Sequence, residues 1–227
     1  LYARDRLSQP MIKKDGVWLE TTWDEALQTA VNGLQAVIRA HGADAFGAWV
    51  SPAATLEELY LLQKITRGLG SGNIEHRLRQ VDFSDQAIAP VMPWLGQNIE
   101  ALEKVNAALL IGSYVRKDQP MIAHRLRKAA VKNKAQISFV NPRKFEWHMP
   151  VAHECVSPDM VQQLAAIAKA CGVNAAHLSA LLGAAKVDDT HQRIADELKQ
   201  AQNATVLLGN IAMQHPQLAA IRQLAAA

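Results

Sequence analysis

The chain has 227 residues, 49% of them hydrophobic and 20% charged, with a formal net charge of +3. That length suffices for one sizeable core or two small ones, and the composition is that of an ordinary soluble protein. No apolar run approaches the roughly 20 residues needed to cross a bilayer, and no charged-then-apolar leader opens the sequence, so direct membrane insertion is excluded on this reading.

In chain order, Met11 to Leu19 reads as a hairpin turning at Asp15-Gly16, a residue pair that tolerates the positive φ angles of a tight turn. Thr22 and Glu25 form a capping-box pattern, and Leu27, Ala30, Leu34 and Ile38 carry the following helix to Gly42. Phe46 to Val50 reads as a strand. Thr55 and Glu58 repeat the capping-box pattern and open a helix through Leu59, Leu62 and Ile65, ending at Gly68-Leu69-Gly70. Ser71 to Pro93 reads as loop, and Ile99 to Val105 as a short helix.

The stretch from Ala107 to Arg143 organises the rest. The apolar run Ala107 to Ile111, closed by Gly112-Ser113, is too short for a helix and predicts a buried strand. Asp118 is placed to cap a helix start and Pro120 suits its first turn. Ile122, Leu126, Ala129 and Ala130 then recur at helical spacing, with Arg125, Arg127, Lys128 and Lys132 on the other faces. A second apolar run, Ile137 to Val140, stops at Asn141-Pro142-Arg143, because proline bars its predecessor from helical geometry. Strand, helix and strand of this length make a crossover unit with parallel strands, and its ligand crevice lies beyond their carboxyl ends. Gly112, Ser113, Asn141 and Arg143 are therefore the candidate binding residues.

Beyond it, Ser157-Pro158 start a helix with Val161, Leu164 and Ala168 on one face, ending at Gly172. Helices over Ala175 to Leu182 and Thr190 to Ala201, a strand over Thr205 to Leu208 and a helix from Pro216 complete the pattern. The alternation predicts an α/β fold: a parallel, Rossmann-like sheet with helices on both faces, preceded by a small β-hairpin. Residues 1–21 form the hairpin segment and 22–227 the α/β domain, with Ser71 to Pro93 and Pro150 to Pro158 as places for an internal boundary. Because the sequence opens on Leu1 and closes on Ala227 within a helical pattern, it reads as a piece of a longer protein, incomplete at its carboxyl end.

The residues that could carry chemistry are few. The glycine-ended strands at Gly112-Ser113 and Gly209-Asn210 either present amides to a phosphate or simply end their strands, and neither matches a phosphate-loop pattern. From Arg116 to Lys144 nine basic residues face one acidic residue. This face is read as solvated, as a dock for an acidic partner, or, last, as a nucleic-acid surface, since no aromatic residues interleave with the charges of its helix. Of the eight histidines, only His148 and His153 share a loop with other metal-compatible groups, Glu146, Glu154 and Cys155, and they lack helical ligand spacing. Cys155 and Cys171 are the only cysteines, expected as free thiols. No Ser/His/Asp or Cys/His arrangement is visible, so no catalytic residue and no metal ligand is named.

Five motifs in order carry a resemblance: Arg6-Leu7-Ser8-Gln9-Pro10-Met11, Trp23-Asp24-Glu25-Ala26-Leu27, Asn73-Ile74-Glu75-His76, Gly112-Ser113 and Asn141-Pro142-Arg143. Together they make the chain similar to the molybdopterin-dinucleotide oxidoreductases over nearly its whole length. Members of that family place a cysteine, selenocysteine or similar metal ligand near the position of Gln80-Val81-Asp82, where this chain has valine. Their strand-end Gly-Ser-Asn-Pro is Gly112-Ser113-Tyr114-Val115 here, and their Asp-Pro-Arg is Asn141-Pro142-Arg143. These departures, with the front motif, resemble the branch of large peripheral-arm subunits of bacterial NADH-quinone oxidoreductase, respiratory complex I.

That resemblance implies a structural domain with a vestigial crevice and no cofactor of its own. It also implies iron–sulfur clusters in a preceding amino-terminal region and partners among the other peripheral-arm subunits. The implied location is the cytoplasmic side of the bacterial inner membrane, held there peripherally. The alternative it leaves is a catalytic molybdopterin-guanine-dinucleotide-binding domain of a formate-dehydrogenase-like oxidoreductase.

Overall fold

The computed structural model describes residues 6–77, 81–90 and 94–227, and the chain falls into two compact units, Leu1–Leu78 and Arg79–Ala227. In the first, β1 (Met11–Lys14) and β2 (Val17–Glu20) pair antiparallel. Asp15 and Gly16 take φ of 50° and 82° between them, as a two-residue turn matched to strand twist requires. Helix α1 (Trp23–His41) is capped by the Thr22 hydroxyl, which accepts from the Glu25 amide. The other half of the expected capping box is absent, because the Glu25 carboxylate is taken by Lys14 Nζ at 2.9 Å and by the Thr21 hydroxyl.

At α2 (Leu56–Gly68) the box is complete between Thr55 and Glu58. The strand expected over Phe46 to Val50 is shorter, β3 (Ala48–Trp49), and it pairs in parallel with β4 (Ile74–Glu75). Ile74 and Glu75 fall in a segment read as loop, since two residues carry no periodicity to detect.

The second unit is built on β5 (Ala107–Ile111), every residue of which is buried. It pairs in parallel with β6 (Gln136–Asn141) on one side and β8 (Ala204–Leu208) on the other, and β6 pairs in parallel with β7 (His153–Val156), giving the order β7-β6-β5-β8. A 3-10 turn over Ile99–Lys104 precedes β5 where a helix was expected.

Between β5 and β6 the chain makes one helical turn, α3 (Val115–Asp118), and then α4 (Pro120–Asn133). Asp118 does not cap α4. It closes α3, Gln119 precedes the helix without a side-chain cap, and Pro120 alone marks the start. Pleat alternation sends Leu109 and Ile111 to one face and Ala108 and Leu110 to the other. The first pair packs with Leu164, Ile167 and Ile194. The second packs with Leu126, Ala129 and Phe139.

Helix α5 (Met160–Ala170) begins two residues later than Ser157-Pro158 suggests, because its cap is Asp159, whose side chain accepts from the Gln162 amide. A 3-10 turn at Ala176–Leu178, α6 (Ser179–Ala184) and α7 (Asp189–Gln200) follow. After β8 come α8 (Asn210–Met213), not expected, and α9 (Leu218–Ala226).

The link from β6 to β7 runs over residues 142–152 without a helix. Parallel neighbours ordinarily need a helical crossover. Here Trp147, Met149 and Val151 pack on the face that holds Phe139 and Leu126 and cover it in the helix's place. Among the described residues no helix is long and apolar enough to cross a membrane.

Candidate functional site

From β5 the chain steps outward to β6 and β7, then returns to place β8 on the other side of β5. The carboxyl ends of β5 and β8 therefore flank the point where the strand order reverses, where sheets of this class bind ligands. Two glycines let these ends touch. Gly112 has φ +55°, and a Cβ there would lie 2.3 Å from the Ala212 nitrogen; a Cβ on Gly209 would lie 2.4 Å from the Ser113 Cα.

Five amides at these strand ends, of Gly112, Ser113, Gly209, Ile211 and Ala212, turn inward. Gly112 N–H donates to the Val140 carbonyl at 2.8 Å and Gly209 N–H to the Ile111 carbonyl at 2.8 Å. The amides of Ile211 and Ala212, at the start of α8, both donate to the Gly112 carbonyl, at 2.9 and 3.1 Å. Ser113 N–H donates to Asn141 Oδ1 at 2.8 Å, and Asn141 Nδ2 donates back to the Ser113 carbonyl at 3.1 Å. Both residues are 2% exposed. A carboxylate at position 141 could accept the first of these bonds but, ionised, could not donate the second.

Gly112, Ser113 and Asn141 thus come together, while Arg143 is exposed, its guanidinium 5.0 Å from the centre of the Phe145 ring. Phe145 stacks on Tyr114 with ring centres 4.4 Å apart, and Trp147 stacks on Phe139 at 3.8 Å while meeting Tyr114 edge-on at 6.0 Å. Tyr114 is thereby tied into an aromatic column beside the strand ends. Phe145 and Trp147 were not singled out from sequence; their spacing of two was the available signal, since alternate residues of an extended link share a side.

Next to the strand ends lies a cleft of about 490 Å³, lined by Trp94, Leu95, Ser113, Gln119, Val206 and Arg222 among others. Arg222 is itself engaged. Its Nε donates to Asp85 Oδ2 at 2.8 Å and its Nη2 to Asp85 Oδ1, and Asp85 is 4% exposed. Asp82 Oδ2 accepts from the Ala219 amide at 2.9 Å, at the start of α9. Hydrogen bonds from the Ser84 amide first, then from Ala219, hold the Asp82 carboxyl below its ordinary range. The segment after Val81 is thus fastened to α9, a role sequence reading missed. Gln80 lies outside the described residues.

The histidine loop disperses in the fold. His153 Nε2 meets Glu197 at 3.0 Å, Trp147 Nε1 donates to Glu154 at 2.5 Å, and Cys155 is buried in the core. Burial, then the charge of Asp188, pushes the Cys155 thiol up to about 11, and burial also raises Cys171. Raised thiols disfavour the thiolate that iron–sulfur clusters require. Among the described residues no three His, Cys, Asp or Glu side chains are grouped to hold a metal ion.

The fold and strand-end geometry define an α/β domain whose parallel sheet reverses its strand order at the ends of β5 and β8. The chain belongs to the molybdopterin oxidoreductase family, whose model matches residues 6–227. It is 32% identical over 137 residues to the NADPH-Fe(3+) oxidoreductase subunit alpha of Geobacter sulfurreducens, an alignment covering 59% of this chain and 16% of that protein. Over 148 residues it is 31% identical to the F420-dependent formate dehydrogenase subunit alpha of Methanocaldococcus jannaschii, covering 63% and 21%. A putative formate dehydrogenase of Staphylococcus aureus is 33% identical over 147 residues, covering 62% and 15%. These alignments span about a fifth or less of each relative's length. The acetylene hydratase of Pelobacter acetylenicus superposes with a TM-score of 0.58 at 14% identity, covering 99% of this chain and 35% of that one, a likeness of fold.

Family membership raises the question of a pterin dinucleotide, whose pyrophosphate would seek free amides at the strand ends. The amides of Gly112, Ser113, Gly209, Ile211 and Ala212 are all spent within the chain. The Val81 side chain, near which the family resemblance leads one to look for a metal ligand, has no lone pair to offer. These residues do not fit the group.

Proposed function

We propose that this domain is a structural element of a multi-subunit oxidoreductase, the cluster-free middle part of the large peripheral-arm polypeptide of an NADH-quinone oxidoreductase. In this role it holds neighbouring subunits and a cluster-bearing region in register, while electrons travel through iron–sulfur clusters elsewhere in the longer protein. The observation that carries the reading is the strand end, where Asn141 and Ser113 satisfy each other and the Gly112 carbonyl takes up the Ile211 and Ala212 amides. Peripheral placement on the cytoplasmic side of a bacterial inner membrane belongs to the same proposal.

A second reading, a catalytic dinucleotide-binding domain of a formate-dehydrogenase-like enzyme, is favoured by the names of the relatives and by the cleft beside Ser113. Metal and pterin analysis of the purified full-length protein separates the two. The structural reading expects iron without molybdenum or pterin; molybdenum and pterin in stoichiometric amount would overturn it. In the assembled complex, Asn141→Ala is expected to lower the amount assembled while leaving NADH-to-quinone turnover per complex unchanged. A tenfold fall in that ratio, about 1.4 kcal/mol of transition-state stabilisation, would show the crevice at work in turnover.

A further inference from the structure

Between α3, α4 and the link from β6 to β7 lies a notch of about 150 Å³, lined by Arg116, His124, Arg127, Trp147, His148 and Met149. We propose that this notch receives a carboxylate from an acidic segment of a partner protein. Nothing in the proposal depends on whether a pterin binds at the strand ends.

The first observation is which charges remain available. Arg125 and Lys128, on the same helix, both bond Glu103, Lys128 at 2.6 Å, and are therefore directed at the 3-10 turn, sharing that one carboxylate. His124 and Arg127 point the other way, into the notch, and the exposed Val131 follows them one turn further along the helix. The notch lining is a compact cationic spot with apolar neighbours, and the exposed Lys132 and Lys134 further along the chain lie outside it. Its size suits one carboxylate and the stem that carries it.

The second observation is a carboxylate already loosely in place. Glu146, whose side chain is 78% exposed, reaches Arg116 at 3.4 Å and His148 at 3.6 Å. By comparison Glu103 is 25% exposed and bonds Lys128 at 2.6 Å. The long contacts of Glu146 are those of an exchangeable partner, and exposed ion pairs of this kind are weak. An incoming glutamate or aspartate can displace it from Arg116 and gain contact with Trp147 and Met149 in the notch lining, so binding exchanges one ion pair for another and adds apolar area. Arg127 is held in position for this by donating from Nε to the His148 carbonyl at 2.9 Å.

The test uses the full chain with a short fluorescein-labelled peptide of glutamate and leucine, its glutamine counterpart and a short labelled oligothymidylate, read by fluorescence anisotropy. Glu146→Gln removes the internal competitor and should tighten the acidic peptide about two- to fivefold, the range an exposed ion pair covers. Glu100→Gln, the same charge change at an exposed site on the turn before β5, should leave it unchanged. Arg116→Gln should weaken the acidic peptide by at least about threefold. Tightening cannot arise from misfolding, so Glu146→Gln keeps the test sound even if Arg116→Gln is unstable. Equal tightening by Glu100→Gln, no tightening by Glu146→Gln, equal binding of the glutamine peptide, or preferential binding of the oligothymidylate would each overturn the proposal.

Discussion

In Leu1–Leu78 the buried hydrophobic side chains among the described residues are Ile12 and Ala48, and α1 buries none of its 19 residues. In Arg79–Ala227 the sheet has a buried cluster on each face, and Leu102, Leu126, Ile137 and Ile221 are wholly excluded from solvent. The first unit draws its element boundaries from neighbours in sequence: the Asp15-Gly16 turn, the Thr22 and Thr55 caps, and the Gly42 amide bonding back to Ile38. The second also uses a local cap at Asp159, but its strand ends are set by residues far apart, as when Ser113 and Asn141 complete each other across 28 positions. Burial of a large aliphatic side chain is worth about 1.5–3 kcal/mol and a cap about 1 kcal/mol. Substitutions should therefore be severe in one unit and mild in the other.

Glycine substitutions test this contrast most strongly. Gly112→Ala places a methyl 2.3 Å from the Ala212 nitrogen at a φ of +55°, so both the backbone and its neighbour must move. A loss of about 3–5 kcal/mol is expected, as for overpacking combined with backbone strain. Gly33→Ala lies inside α1 with nothing within 4 Å and should stabilise by about 0.5–1 kcal/mol. Denaturant unfolding of both variants gives the comparison. A mild effect at Gly112 would mean the strand ends are not locked together.

Next in size are the leucines. Leu126, fully buried against Phe139 and Ile137, should lose about 2–5 kcal/mol on change to alanine. Leu27, on α1 and 56% exposed, should lose less than about 1 kcal/mol. Comparable losses at the two sites, measured by chemical denaturation, would show that α1 is buried by something in solution and would erase the contrast.

The same division explains what could be read from the sequence. Asp15-Gly16, the Thr55–Glu58 box and the apolar runs ended by Gly112 and Asn141 are local, and each lies where expected. The parallel α/β architecture follows from their alternation. What escaped depends on distant partners. Glu25 matches the box pattern but is claimed by Lys14 across the hairpin. β7 exists only because His153 to Val156 find register on β6. Asp118 has capping chemistry but sits at the end of a helical turn.

At the candidate site the strand-end rule brings Gly112, Ser113 and Asn141 together. It could not show that their hydrogen bonds are directed at one another, that Arg143 lies over Phe145, or that Phe145 and Trp147 hold Tyr114. Those are properties of packing, and no spacing encodes them.

The smallest expected effect concerns acid. Glu103 is held down to about 2, from an ordinary 4.5, by hydrogen bonds from Lys128 first and Arg125 second, partners 25 and 22 residues away. Glu75 is likewise held down to about 2, by Arg77 and by the amides of His76 and Arg77, partners within two residues. A carboxyl whose folded pKa is depressed binds protons more readily when the chain unfolds, so it contributes stability above its unfolded pKa and loses it as pH falls through the folded one. For Glu103 the window runs from about 4.5 down to about 2. Unfolding carries its partners far away, so the unfolded pKa should return to the ordinary value. Glu75 keeps its neighbours within reach in the unfolded chain, and part of its depression should persist there. Thermal melts of the unmutated protein, Glu103→Gln and Glu75→Gln are then expected to differ in shape as well as size. The gap between Glu103→Gln and the unmutated protein should be widest near neutral pH and close as pH falls through that window. Glu75→Gln should show a shallower version of the same closing. A gap for Glu103→Gln that stays constant down to the acid end would mean its ion pairs with α4 are not formed in solution. An equally steep closing for Glu75→Gln would mean that contacts between chain neighbours are as dependent on folding as those that span the second unit.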